Sequence, residues 1–347
     1  MKVLFLTKYG DAGPSSRYRF YNYQPYFEEA GISCCFKPLL SNDYVYSLYK
    51  KQKVKALVKS LFSVFKRIFF LLFNLKEYDL IIIEKELFPN VPYFVEAYLL
   101  KSKLYALDFD DYVATSYKEN KIKSFFFENK IQNLVAKAKL VTVGNHWYFE
   151  ELKGDNLRYL PTVVDLEKYA KPKQYNEVDI LTIVWIGSPS TAKYLQLVAS
   201  ALEKLAEKYT IKLKIIGANI NIEKVELELV SWDSTTEAEE LLSADIGIMP
   251  LTRTMWENGK CGFKLIQYMA SGLPVVATSV PANEEIVEDD INGFIVNNDE
   301  DWYNKLETLI VNRNLREQFG KSGRDRIENY YSYQVWGNRY VNIIKNG

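Results

Sequence analysis

At 347 residues the chain exceeds a single small module and has room for two domains of roughly 100 to 200 residues each. Its 44 lysines and arginines balance 44 aspartates and glutamates, so no global field recruits nucleic acid and every charge argument is local. One histidine, His146, and three cysteines, Cys34, Cys35 and Cys261, exclude a His-rich metal centre and a disulfide framework and fit a reducing, cytoplasmic compartment.

The opening MKVLFLT is apolar only from Val3 to Leu6, short of the roughly 7 to 15 residues of a leader's apolar core, and reads as a first strand. Further strands are expected at Ile32–Lys37, Leu80–Glu84, Leu104–Asp108 and Leu140–Val143, alternating with helical patterns. His146, in GNHWYFEEL, reads as a helix-start residue with structural duty. From Leu160 to Asp179 prolines and charges without apolar periodicity mark a linker. The pattern restarts with strands at Leu181–Ile186, Leu213–Gly217, Val225–Leu229, Ile246–Pro250, Pro274–Thr278 and Phe294–Val296. The tail from about Trp302 is helical and ends in aromatics spaced to bury one face.

These elements predict an α/β protein of two Rossmann-like, doubly wound domains facing a cleft. We expect an N-terminal domain over 1–165 and a second over 175–320. Helices over 321–347 would pack back on the first. Ligands of open sheets bind at the carboxyl ends of the strands, so the cleft is the expected site.

Three loops carry anion chemistry. In TKYGDAGPSSRYR, Gly10 and Gly13 lie in the first strand-to-helix turn, Ser15 or Ser16 is the expected N-cap, and Arg17 and Arg19 follow. Cations at a helix start oppose the dipole, so these arginines contact either a phosphate or acceptor, or surface acids such as Glu28. The spacing GDAG is not the dinucleotide fingerprint, which disfavours a nicotinamide cofactor. The second domain repeats the device in WIGSPSTAK, with Gly187, Ser188, a capping Ser190 or Thr191, and Lys193.

The third loop is GKCGFKLIQYMASGLPVV, expected to form a helix from Cys261 or Gly262 to Ser271, with Phe263, Ile266, Met269 and Ala270 facing the core. Lys260 and Lys264 stand one turn apart at its mouth. A diphosphate between them explains two cations at a positive dipole end; the plainer alternative pairs Lys260 with Glu257.

Asp108, Asp110 and Asp111 in LYALDFDDY are expected at the carboxyl end of a strand, where they would orient an acceptor hydroxyl, cap a helix or hold a divalent ion. Between Lys50 and Lys76 there are eight lysines and arginines and no acid. Lys51, Lys55, Lys59 and Arg67 share one face, while Val54, Leu57, Val58, Leu61, Phe65, Ile68, Phe69 and Leu72 share the other. Such a helix either covers the sheet or docks on an anionic membrane surface through residues 50–76, and its unbroken apolar run, Ile68 to Phe73, is too short to span.

ADIGIMPL (244–251), the lysine-containing helix with YMASGLPVVAT (268–278), PANEEIVEDDINGFIV (281–296), SSRYRFYNYQPYFEEAGI, LRYLPTVVDLEKY (157–169) and the late YYSYQVW together resemble the retaining glycosyltransferases of family four. The resemblance implies the GT-B fold, no metal or other cofactor, and a nucleotide-diphosphate sugar, UDP or GDP, as donor substrate. The partner would be a glycan or lipid-linked acceptor of polysaccharide synthesis, not nucleic acid, on the cytoplasmic face of the inner membrane. Joined to the loop chemistry above, this reading expects donor binding by Gly13, Arg17, Gly187, Ser188, Lys193, Glu257, Lys260, Gly262, Phe263, Lys264 and Gln267, and catalysis by Lys264, Lys193, Asp110 and Asp111.

The family's two glutamates, eight positions apart, fall here on Gly259 and Gln267. Glutamine still bonds ribose hydroxyls, and Glu257 is the candidate to replace the first carboxylate. A sugar-nucleotide epimerase and an inactive binding subunit are the competing functions.

Overall fold

The computed structural model describes residues 1–44, 53–101, 103–118 and 121–347, with side chains of 53–59 and 61 excepted. The described residues form two compact units, Met1–Thr162 with Trp336–Gly347, and Val163–Val335. Thus 321–335, expected to return to the first unit, stays in the second, because the helix Arg313–Tyr330 continues without interruption to Tyr330 before the helix Tyr333–Asn346 begins.

The first unit holds one parallel sheet in the order β2-β1-β3-β4-β5-β6. Its strands are β1 (Lys2–Leu6), β2 (Ser33–Phe36), β3 (Leu80–Glu84), β4 (Tyr105–Phe109), β5 (Leu140–Val143) and β6 (Leu157–Tyr159). The sixth was not expected; it is three residues long and only Leu157 is buried, too little for an apolar pattern. The chain runs from β1 to one neighbour, then back past β1 in the other direction. Right-handed crossovers therefore put the helices between residues 14 and 29 on one face and Lys53–Asn74, Tyr93–Leu100 and Lys121–Lys137 on the other.

Packing agrees with that division. Leu4, Leu6, Ile81 and Ile83 join Leu71, Leu75, Leu100 and Leu134 in one core. On the opposite face Phe5 stacks on Phe27 and Phe36, and Tyr340 of the terminal helix meets Tyr23 and Phe27 edge-on.

The second unit has β7 (Leu181–Ile186), β8 (Ile211–Ile216), β9 (Glu226–Val230), β10 (Ile246–Met249), β11 (Val275–Thr278) and β12 (Gly293–Val296), all parallel, in the order β12-β11-β10-β7-β8-β9. β7 lies at the centre, so the direction of winding reverses between β7 and β10. Its core joins Ile183, Trp185 and Ile248 to Leu202, Leu306 and Phe319.

The basic helix differs from its sequence reading. Lys50 and Lys51 lie outside the described residues, as do the side chains of Lys55 and Lys59. Arg67, expected on a solvent-facing cationic side, is buried and donates to the carbonyls of Thr7 and Lys37, each at 2.6 Å. Burial lowers its guanidinium to about 9. Conversely Phe65, Phe69 and Leu72 are exposed, and Leu71 and Leu75 cover the sheet. The rotation turns Arg67 inward to the carbonyls that follow β1 and β2.

Candidate functional site

Each sheet has one place where the winding reverses, and the loops at the carboxyl ends of the flanking strands line a crevice there. In the first unit these strands are β1 and β3. Glu84, the last residue of β3, fills the gap: its carboxylate accepts from the Lys8 amide at 2.7 Å and from the hydroxyls of Ser15 and Ser16 at 2.8 and 2.6 Å. Burial raises its pKa, with Lys85 opposing and Asp110 adding to the rise. The expected cap role of the two serines is thereby displaced; the helix Pro14–Arg19 starts from Gly13, and Ser15 and Ser16 face Glu84.

Arg17 donates to the Asp11 carbonyl at 3.1 Å and its guanidinium lies 5.0 Å from the Tyr18 ring. Arg19 is fully interior. It holds Asp108 through two bonds and donates to the Leu160 carbonyl, so neither it nor Asp108 reaches solvent. This buried pair corrects the expectation that Asp108 faces an open site and both readings of Arg19, contact with a phosphate or acceptor and pairing with surface acids.

Asp110 and Asp111 both meet the Lys85 ammonium at 2.8 Å. Lys85 has a left-handed backbone, φ 66°, an unfavourable state for a lysine, held by this double ion pair. Beside it a small cavity of about 20 Å³ is lined by Lys8, Arg67, Glu84, Lys85 and Val113. Among the described residues no cluster of three or more His, Cys, Asp or Glu could hold a metal ion. His146 is exposed, lies in the turn before the helix Tyr148–Glu151 rather than at its start, and stacks on Tyr159 with 4.2 Å between ring centres.

In the second unit the crevice opens between β7 and β10. Their pairing stops at Val184 and Gly247, and beyond it the Tyr268 hydroxyl accepts from the Ile186 amide at 3.0 Å and donates to the Ile248 carbonyl. Tyr268 belongs to the helix Phe263–Ala270, so this bond seats the helix mouth at the crevice. Gly262 starts the helix with φ 63°, and a Cβ there would come within 2.3 Å of Ile286. Ile266, Met269 and Ala270 are buried as expected, whereas Phe263 is half-buried.

Lys264, in the first turn, has its ammonium 5.6 Å from the Trp185 ring, near the end of β7. Gly187 follows directly; a Cβ on it would lie 2.5 Å from that same ring. Ser188 and Ser190 bond through their hydroxyls at 2.8 Å, Thr191 precedes the turn Ala192–Leu197, and Lys193 in that turn lies 5.3 Å from the Tyr194 ring. Lys260 is outside the helix, in the loop before Gly262, with its ammonium 5.4 Å from the Trp256 ring.

Glu257 is buried and accepts from the Tyr194 and Thr254 hydroxyls. Burial alone would raise its pKa, but the hydroxyls of Thr254, Tyr194 and Thr252 hold it below the usual carboxylate value. Gln267 is also buried and donates to the Tyr169 hydroxyl at 3.3 Å. The fold thus brings Gly187, Ser188 and Lys264 to one crevice, with Glu257 and Gln267 interior. Glu84, Tyr194 and Tyr268 were missed. For Glu84 the available signal was an acid closing the wholly apolar run LIII, and for Tyr268 a tyrosine amid the buried positions of a helix.

Two doubly wound parallel units with such a crevice define the glycosyltransferase fold known as GT-B. Residues 180–312, the greater part of the second unit, match the family described as Glycosyl transferases group 1. Sulfoquinovosyl transferase SQD2 of Arabidopsis thaliana is 30% identical over 161 residues, 43% of this chain and 30% of that protein. An uncharacterised 41.2 kDa protein from the cps region of Klebsiella pneumoniae is 22% identical over 236 residues, 62% of this chain and 64% of that protein. The chain therefore spans less than two thirds of either relative. The crystal structure of Anabaena Alr3699/HepE in complex with UDP superposes with a TM-score of 0.70 at 13% identity, covering 100% of both chains.

Proposed function

We propose that the protein is a retaining glycosyltransferase that moves a hexosyl or related sugar from a UDP- or GDP-sugar to a glycan acceptor, a lipid-linked or cell-surface polysaccharide intermediate. The observation that carries this reading is the meeting of Gly187, Ser188 and Lys264 at the β7–β10 crevice, inside the segment that matches the family. UDP in the Anabaena structure is in keeping with a nucleotide donor.

The donor's bond from the anomeric carbon to the diphosphate oxygen breaks as the acceptor oxygen bonds to that carbon from the same face. The acceptor proton leaves with the phosphate. Negative charge grows on the diphosphate, and Lys264, with Lys193 and Lys260 on the adjoining loops, stabilises it. Asp110 and Asp111, set by Lys85 beside the cavity of the first unit, orient the acceptor hydroxyl.

We place the chain on the cytoplasmic face of the inner membrane. No helix among the described residues is long and apolar enough to cross a bilayer. Support for a peripheral mode comes from Phe62, Phe65, Phe69 and Phe73, all more than 60% exposed on the helix Lys53–Asn74. They stand opposite Arg67 on that helix, at positions three or four apart.

Incubation with a panel of UDP-, GDP- and dTDP-sugars, followed by donor hydrolysis and thermal shift, tests the reading. Slow hydrolysis of one donor and a raised melting temperature are expected. If no nucleotide diphosphate shifts melting, the proposal fails. Epimerised donor without acceptor would transfer it to the epimerases.

A further inference from the structure

The turn Ala192–Leu197 follows β7, and the helix Met255–Asn258 follows β10, so the two stand on opposite sides of the second unit's crevice. Glu257 joins them. One carboxylate oxygen, Oε1, accepts from Tyr194 of the β7 side, and Oε2 accepts from Thr254 of its own loop. The residue is 2% exposed. Lys193 is the neighbour of Tyr194 in sequence, and Lys260 follows Glu257 by one short turn, its amide donating to the Glu257 carbonyl at 3.1 Å.

We infer that Glu257 is a positioning residue: by holding the Tyr194 and Thr254 hydroxyls together it fixes the spacing of the Lys193 and Lys260 loops, and it does not itself contact the donor sugar. The inference rests on the reading of this crevice as the donor site. Glu257 is enclosed, with each oxygen turned to a hydroxyl of the protein, so a sugar hydroxyl could reach it only by opening those buried contacts. A carboxylate bonded by hydroxyls from two loops is a rigid tie, because each hydroxyl donates one hydrogen and the ionised acid accepts several. What it positions is the part of the site that meets the diphosphate, common to every donor whatever its sugar.

The test uses the full-length chain with Glu257→Gln, Tyr194→Phe and Thr254→Val. Titration calorimetry measures binding of UDP, GDP, UDP-glucose and GDP-mannose. A positioning role predicts that Glu257→Gln and Tyr194→Phe weaken the free diphosphate and its sugar ester by the same factor, about tenfold. The double variant should be scarcely worse than either single one, since each breaks the same tie.

A donor-sugar contact gives a different pattern: Glu257→Gln weakens the sugar ester, spares the free diphosphate, and Tyr194→Phe is silent. That result overturns the inference. Melting of the four unliganded proteins of the cycle reports on the tie alone, and strictly additive losses would also overturn it. Absence of any nucleotide binding by the unaltered chain would instead remove the donor reading, and with it the positioning role, while the melting cycle still showed whether the tie exists.

Discussion

The two crevices are built alike and finished differently. In the first unit an acid of the protein, Glu84, occupies the gap at the end of β1, taking the Lys8 amide and two serine hydroxyls that would otherwise suit an anionic ligand. In the second unit the gap between β7 and β10 is closed by a neutral group, the Tyr268 hydroxyl. A fixed carboxylate repels a phosphate, whereas a neutral phenol with lysines on the adjoining loops does not. This difference favours the second unit for a diphosphate and leaves the first for hydroxyl-bearing partners.

The acids differ in the same way. Asp108, Asp110 and Asp111 of the first unit are met by cations, while Glu257 of the second is met by hydroxyls. Breaking the most deeply buried pair should give the largest effect. Asp108→Asn leaves the Arg19 guanidinium interior and without its counter-ion, and should cost about 3 to 5 kcal/mol by denaturant unfolding. Glu77→Gln, which breaks an exposed pair with Lys2, should cost no more than about 1 kcal/mol. Similar losses from both would mean that Asp108 is not the anchor of the first unit.

Next in size is Lys264→Ala, expected to lower donor turnover about 100- to 1,000-fold, the range for removing one stabiliser of developing charge. Its ammonium lies over a ring and contributes little to the core, so melting should change little. Turnover within a few-fold of the unaltered protein would remove Lys264 from the chemistry.

The pH dependence of the two crevice acids should run in opposite senses. Burial holds Glu84 above the usual carboxylate value, so its contribution is full below the unfolded pKa and is lost as pH rises through the folded one. Glu257 is held below the usual value despite burial, by Thr254, Tyr194 and Thr252, so its contribution is present above the unfolded pKa and is lost as pH falls through the folded one. Amide exchange followed separately on β1 and β7 between about pH 3 and 7 reads each unit alone. Glu84→Gln should flatten the first trend and Glu257→Gln the second; equal slopes in both units would contradict the contrast.

Much of this architecture was written in periodicity. β3, β5 and β7 fall on their expected residues because each is a short, fully buried apolar run in a parallel sheet. The helix after Gly262 was legible from its apolar spacing and its closing glycine. What periodicity could not supply was pairing across the chain. Arg19 and Asp108 are 89 positions apart, Glu257 and Tyr194 63, and nothing in either local sequence selects the other. The rotation of the basic helix was hidden for the same reason: Arg67 is drawn inward by carbonyls of Thr7 and Lys37, which a helical wheel does not contain.

That rotation sets the smallest stability effect and the sharpest separation from it. Phe65 and Phe69 are 71% and 65% exposed, so Phe65→Ser with Phe69→Ser removes no core contact and should shift unfolding by less than about 0.5 kcal/mol. Arg67→Ala, by contrast, strips hydrogen bonds from the buried Thr7 carbonyl and the part-buried Lys37 carbonyl and should destabilise the first unit. Flotation with vesicles of neutral or anionic lipid then isolates the outward face. If the helix docks through its phenylalanines, the double serine variant is lost from the floating fraction while remaining folded, and the unaltered chain prefers anionic vesicles because Lys66 and Lys76 flank the stripe. Equal flotation of both proteins, or none of either, would mean that the exposed stripe serves some surface other than a bilayer.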